Sequence, residues 1–347
     1  MKIAVLLPNY NHAKFIGQAI KAIQRQSHRD WELAIVDDAS TDDSRELIAE
    51  LARQDERIIT KFLPNNGGVT AALTICYAMT TAPVVLGTAA DDYIVNSRYF
   101  EAVNAAFAAH PQAACAFAKA SLVSAESGDP YFVMAAAPHS GWIAPRQCLK
   151  DFLNGRMFIH GGAVAWRRAH VDRVGGYDSA LGPRADFFVS LALSALGGAV
   201  FIDEIATVVR FSDQAYGQSV DDETYFRQFA LAERKLLELD LGYGVKPRWR
   251  RTWRDNIINE RLANRWQRWL LDAVRKPIAA LDPWHVRRFQ AELGDIATRL
   301  RAGARDWENT IDSNVAAAQL TFDRVAGPLP PPSGLRHFVR RLRHKRA

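Results

Sequence analysis

Through the first third of the chain, short apolar runs alternate with stretches whose apolar residues return every three or four positions. Ile3–Leu7 is one such run, closed by Pro8. From Ala13 to Gln26 the apolar positions Phe15, Ile16, Ala19, Ile20 and Ile23 have the spacing of one helix face. Leu33–Val36 predicts a second strand. The polar cluster Ser40-Thr41-Asp42-Asp43 then opens a helix to about Arg53, with Ser40 or Thr41 as its cap. Ile58–Leu63 predicts a third strand, Gly67-Gly68 a turn, Thr70–Met79 a helix, and Val84–Gly87 a fourth strand leading to Asp91-Asp92. A helix over 97–109 and a strand over Ala114–Ala118 follow. Strands separated by helices predict a mostly parallel sheet covered on both faces. Ligands of such sheets gather beyond the carboxyl ends of the strands, where Pro8–Asn11, Asp37-Asp38 and Asp91-Asp92 fall.

Residues 121–160 predict a hairpin and a helix, and 161–219 mix strands and helices again. From Thr224 to Arg324 the pattern is helical, and Pro328–Pro332 then leads into a basic tail over 334–347. Charge divides along the same line. From Asp221 onward 25 Lys and Arg face 16 Asp and Glu, while the first 220 residues carry 19 against 22. A hydrophobic share of 48% with 24% charged residues belongs to a folded chain and excludes collagen-like and disordered classes. Cys76, Cys115 and Cys148 are spaced for neither a disulfide framework nor a zinc site, so buried thiols in a reducing compartment are expected. The opening apolar run is too short for a signal-peptide core, and no stretch has the 18 or so apolar residues of a membrane span. A cytoplasmic location follows as the expectation, at most peripheral on the inner face of the plasma membrane.

Four segments carry candidate chemistry. Asp91-Asp92 is either a solvated turn or a seat for a hard cation, since paired carboxylates suit Mg²⁺ or Mn²⁺ bridging to phosphate oxygens. Helix capping accounts for Ser40 or Thr41 but not for the two carboxylates Asp37 and Asp38 ahead of them. A carboxylate there can accept an N–H of uracil or guanine. In Pro8-Asn9-Tyr10-Asn11 the tyrosine can pack on a base, and Asn65-Asn66-Gly67-Gly68 is a turn that lets backbone approach a ligand. His160, ahead of Gly161-Gly162, is either structural or part of an acceptor wall; Trp142 and Trp166 can stack on a sugar or fill a core.

The ordered series PNYNHAKFIGQAIKAIQRQ, ELAIVDDASTDDS, NNGGVTAAL and VVLGTAADDY resembles the nucleotide-sugar domain of family 2 inverting glycosyltransferases. The likeness continues through Gly175-Gly176-Tyr177-Asp178, Asp186, Arg210 and Ser219, so it covers about residues 1–220. It implies a GT-A type, Rossmann-like α/β fold: a mostly parallel sheet flanked by helices, followed by a C-terminal helical region. The implied domains are a catalytic domain over 1–220, a helical accessory region over 221–326, and a proline-rich linker with basic tail over 327–347. The resemblance assigns Pro8, Tyr10, Asn11, Asp37 and Asp38 to base and ribose, and Asn66 and Gly68 to the donor. Asp91 and Asp92 match the acidic motif that holds the donor diphosphate through Mn²⁺ or Mg²⁺, with Asp92 favoured as direct ligand and the order left open. Asp186 matches the general base, with His160, Trp166 and Arg210 on the acceptor side. The implied activity is inverting transfer from a nucleotide sugar, a UDP-sugar by preference, to a glycan or lipid-linked acceptor in cell-surface polysaccharide or lipopolysaccharide synthesis. Departures stand at Ala89, Ala185, Leu73-Thr74 and Phe211-Ser212-Asp213, where many members carry Asp, Glu, Arg-Asn and a His after the arginine. They leave open a catalytically silent sugar-nucleotide-binding or assembly subunit.

In the basic third, Trp249, Trp253, Ile257, Leu262, Trp266, Trp269 and Leu270 form a helical stripe among arginines. Core packing or subunit contact, including a homo-oligomer, is expected ahead of an interfacial membrane helix. Interspersed acids such as Asp255, Glu260 and Asp272 argue against nucleic acid. The tail Leu335–Arg346 holds basic residues without an acid and suits either solvent or anionic headgroups.

Overall fold

The computed structural model describes residues 1–134, 137–211 and 220–258. Its first half runs β1 (Ile3–Asn9), α1 (Ala13–Gln24), β2 (Trp31–Asp37), α2 (Ser44–Gln54), β3 (Ile58–Phe62), α3 (Val69–Ala78), β4 (Val84–Gly87), β5 (Tyr93–Ile94) and α4 (Tyr99–Ala109). The second half runs β6 (Cys115–Ser124), β7 (Pro130–Met134), β8 (Gly141–Ile143), α5 (Pro145–Leu153), β9 (Val164–Arg167), α6 (Arg168–Arg173), α7 (Ala185–Gly197), β10 (Ala199–Phe211) and α8 (Asp222–Glu238). Two 3-10 turns, Gly161–Ala163 and Ser179–Arg184, precede β9 and α7.

One sheet has the order β3-β2-β1-β4-β9-β6-β10-β5, with β7 on β6 and β8 on β10. Its first four strands are parallel, whereas β9 runs antiparallel to both neighbours. β6 and β10 are parallel again, and β5 is antiparallel on β10. The sheet is therefore mixed, and the expected parallel character holds for its first half. Every residue of β1 is buried, as an unbroken apolar run in a central strand requires. α1 packs Ile16, Ala19, Ile20 and Ile23 inward, and α7 is buried nearly all round from Phe188 to Ala195. Each such aliphatic side chain contributes roughly 1.5–3 kcal/mol on burial. All three cysteines are buried thiols, with Cys76 and Cys148 pushed up to about 12 by burial.

The segment 121–160 holds the expected hairpin, β6–β7, and helix, α5. The start of α2 differs from expectation. The helix begins at Ser44, and Ser40 turns back to Asp37 instead of capping it. Asp42 takes over the tethering: Oδ1 accepts the Ser44 N–H at 3.1 Å and Oδ2 accepts the Ala13 N–H at 2.9 Å.

Two compact units are present. The first takes Met1–Val220 and also Leu231–Gly244, held by Lys235 to Asp178 at 2.7 Å and by the Tyr243 hydroxyl donating to Ala195 O at 2.6 Å. The second takes Asp221–Ala230 and the chain from Val245. In it the backbone is helical over 247–258, with Trp249, Trp253, Ile257 and Ile258 all buried and Trp253 edge-on to Phe229. The described start of the tryptophan stripe is thus a packing face. Its continuation at Leu262, Trp266 and Trp269, the linker and the basic tail lie outside the described residues. Among the described residues no helix is long and apolar enough to cross a membrane.

Candidate active site

The ends of β1 and β2 are tied by a polar knot. Asn9 stands opposite Asp37 in the parallel register. Asp37 is 0% exposed; Oδ2 accepts from Asn9 Nδ2 at 2.8 Å and Ser40 Oγ at 2.6 Å, while Oδ1 accepts the Ser40 N–H at 3.0 Å. Asp38 reaches the other way. Its Oδ1 accepts the Gly67 N–H at 2.8 Å and its Oδ2 the Gly68 N–H at 2.7 Å. That pair of bonds seats the glycine turn against the end of β2 and starts α3, where Gly68 takes φ 86°. Asn11 and Ala39 both sit in left-handed backbone, at φ 56° and 63°. Asn11 is held there by its own side chain, whose Oδ1 accepts the Thr41 N–H at 2.8 Å. Pro8 is buried in β1, whereas Tyr10, Asn11 and Asn66 are exposed around the knot. Asp37 is therefore an internal brace, and the exposed surface belongs to Tyr10, Asn11 and the turn.

β4 ends beside this knot, with Thr88 donating its N–H to Leu6 O, and leads to Asp91 and Asp92. Asp92 is 5% exposed, and its Oδ1 accepts the Arg210 N–H at 2.9 Å. Burial first, and the Asp91 charge second, push its carboxyl up to about 8. Asp91 keeps part of its surface open. Arg210 lies with this pair: its guanidinium donates to Asp91 O and to Gln18 Oε1 and stands over the rings of Phe15 and Tyr93. It is grouped with the acidic pair by these bonds, not with His160 and Trp166 as the sequence suggested. Among the described residues, no three His, Cys, Asp or Glu side chains gather into a metal cage. Two crowded carboxylates whose charge is poorly compensated nonetheless fit a divalent cation that completes its shell with phosphate oxygens and water.

Asp186 begins α7, behind the 3-10 turn Ser179–Arg184. That turn is linked to the donor-side turn, because Thr70 Oγ1 donates to Gly182 O at 3.4 Å. Asp186 Oδ2 presses on Gly161, where a Cβ would stand only 2.1 Å away, so only glycine fits. His160 Nδ1 accepts the Gly162 N–H at 3.1 Å, leaving Nε2 as the protonated nitrogen of the neutral ring. Thr207 of β10 clamps the same turn by donating to Gly162 O at 2.6 Å. Burial raises the Asp186 carboxyl above 3.8, and the facing His160 offsets part of that; burial lowers His160 below 6.5. Both residues retain some exposure.

A sequence profile of glycosyl transferase family 2 matches residues 4–173. The chain is a member of glycosyl transferase family 2. The profile takes in the knot, Asp91-Asp92 and His160, while Asp186 and Arg210 lie beyond it. An uncharacterized glycosyltransferase of Nostoc sp. is 40% identical over 92 residues, 26% of this chain and 29% of that protein. The GalNAc(5)-diNAcBac-PP-undecaprenol beta-1,3-glucosyltransferase of Campylobacter jejuni is 37% identical over 57 residues, 16% of this chain and 18% of that protein. Each match thus spans less than a third of the relative's own length. The crystal structure of Staphylococcus aureus TarS 1-349 in complex with UDP-GlcNAc superposes with a TM-score of 0.63 at 17% identity, covering 93% of this chain and 92% of that one. At that identity the likeness establishes the shared GT-A fold.

In this family 2 chain a second expected acceptor residue, after Arg210, is placed elsewhere. Trp166 is 1% exposed within β9, edge-on to Tyr177, so no ring face is open to a sugar. Trp142 likewise stacks on His110 and packs against Gly198. Asp213 and Ser219 lie outside the described residues. The structure adds Ser40 and Asn9 as the fasteners of the knot, and Gly161 as the residue that admits Asp186. Their signal in the sequence was only proximity to the named motifs.

Proposed function

We propose that the protein transfers a sugar, with inversion, from a nucleotide sugar to a hydroxyl of a glycan or lipid-linked acceptor in cell-surface glycan synthesis. UDP-sugars are the favoured donors. The observation that carries this reading is the arrangement of Asp186 at a helix start against Gly161, joined through Thr70 and Gly182 to the turn held by Asp38. A base, a nucleotide-side knot and an acidic pair thus stand at the same edge of one sheet. Support for the acceptor and donor classes comes from the Campylobacter relative's undecaprenol-linked substrate and from the UDP-GlcNAc bound by TarS.

In this reading Tyr10 and Asn11 flank the base, with Asp38 and the Gly67-Gly68 turn beneath the nucleotide. Asp91 and Asp92 would hold Mg²⁺ or Mn²⁺, which when bound would supply positive charge for the departing diphosphate. Asp186 accepts the proton of the acceptor hydroxyl while that oxygen bonds to the anomeric carbon. The anomeric C–O bond to the diphosphate breaks, and its electron pair leaves with the nucleotide. A carboxylate raised above its ordinary range is a better base for this step than a solvated one. Neutral His160 offers an N–H donor beside it.

The seclusion of Asp92 favours a second reading, sugar-nucleotide binding without turnover. Calorimetry with UDP and Mn²⁺, paired with a UDP-release assay over a donor panel, separates the two. Mn²⁺-dependent UDP binding lost in Asp92→Ala, together with turnover lost in Asp186→Asn, supports transfer; binding without release supports the silent subunit. Absence of UDP binding overturns both.

A further inference from the structure

The chain leading into His160 forms neither helix nor strand, His160 itself is extended at φ −85° and ψ 133°, and burial alternates along 157–160. Met157 and Ile159 are 3% and 2% exposed, while Phe158 is 42% exposed and His160 keeps part of its surface open. That alternation of buried and open side chains puts Phe158 and His160 on the outer side together. Their ring centroids are 6.4 Å apart. His160 and Gly161 are the residues that abut Asp186. A large aromatic ring is thus open to solvent two residues, at most about 7 Å of chain, from the base's neighbour. Among the exposed large apolar side chains of the described residues, Phe158 is the one that stands next to the His160 turn. Its neighbours Met157 and Ile159 fix it outward by filling the core behind it.

We propose that Phe158 is a specificity-determining residue of the acceptor subsite, a platform for the C–H face of a pyranose whose hydroxyl is directed to Asp186. The inference rests on the transferase reading above and deepens it. An aromatic face rewards a ring with a flat C–H surface and offers little to an acyclic alditol phosphate, so it selects cyclic sugar acceptors. Of the two aromatics that the sequence left open for this task, Trp166 is buried and Trp142 is half-buried with its ring stacked on His110. Phe158 meets the requirement they fail.

The test uses the full-length protein with a UDP-sugar donor that it turns over. Methyl and p-nitrophenyl hexopyranosides and N-acetylhexosaminides serve as cyclic probes, and glycerol 3-phosphate as the acyclic one. The expected result is transfer to at least one pyranoside and none to glycerol 3-phosphate. Phe158→Ala then raises the pyranoside KM about tenfold, with a much smaller change in kcat and in UDP affinity, and Phe158→Tyr restores KM. An unchanged pyranoside KM in Phe158→Ala overturns the proposal, as does preferred transfer to glycerol 3-phosphate. So does a loss that tracks a lowered Tm and that Phe158→Tyr fails to restore. If the wild type neither binds UDP nor releases it from any donor, the transferase reading itself falls and the subsite falls with it.

Discussion

A methyl group on Gly161 would stand 2.1 Å from Oδ2 of Asp186, far inside contact distance. The glycine is what lets the carboxylate lie against the His160 turn. Gly161→Ala forces one of them to move, and a displacement near 1 Å at a reacting group costs about a hundredfold in rate. The expected phenotype is that loss in kcat with UDP affinity retained, read from UDP release and calorimetry on the same preparation.

Asp38 supplies both acceptors for the Gly67 and Gly68 N–H groups and is 2% exposed. Asp38→Ala leaves two backbone donors unpaired at the foot of α3. Urea denaturation should show a loss of about 2–3 kcal/mol, and UDP binding should weaken with it. A mutant as stable as wild type would mean that the turn is held by something other than this carboxylate.

Ala39 occupies φ 63° between Asp38 and Ser40, both of which are held by hydrogen bonds. Left-handed backbone costs a Cβ-bearing residue about 1–2 kcal/mol, against the extra unfolded-state freedom of glycine. Ala39→Gly should therefore raise stability, by about 0.5–1 kcal/mol in urea melts, without altering UDP affinity.

Asp186 and His160 make opposite claims on pH. Burial raises Asp186, so between its unfolded value near 3.8 and its folded value the native state binds the extra proton, and stability falls as pH rises through that window. Asp186→Asn should melt higher than wild type at neutral pH, with the difference closing below 3.8, while turnover is lost. The acid limb of wild-type turnover should lie above the ordinary carboxylate range, because the base acts only when ionised. Burial lowers His160, so stability is lost as pH falls below 6.5, where the unfolded chain takes up the proton first. Thermal melts and UDP release across pH check these signs together.

Much of the first half was readable because its elements follow from hydrophobic period alone. Ile3–Leu7 reads as a buried strand, and the spacing Ile16, Ala19, Ile20, Ile23 as a helix face. The reading failed where residues distant in sequence compete for one partner. Ser40 has the composition of a cap but is drawn to Asp37 and Asn9, which lie on neighbouring strands. Arg210 looked like an acceptor residue until β10, offset by register shifts against β6, brought it to Asp92. Tryptophan is ambiguous in composition, since its size suits a core and its face suits a sugar, and burial resolved Trp166 to the core. Phe158 was not legible, because Met157-Phe158-Ile159 is an unbroken apolar run and only burial separates the outer ring from its two neighbours.

The role of Asp186 in activating a hydroxyl for attack on the anomeric carbon is open to a direct test. The direct measurement is ¹H NMR of the sugar released from α-linked nucleotide sugars by the wild-type protein with Mn²⁺, followed before mutarotation, with Asp186→Asn alongside. The account predicts β-anomer as the first product, and no release by Asp186→Asn despite UDP affinity within about twofold of wild type. First release of the α-anomer, or undiminished release by Asp186→Asn, would contradict it.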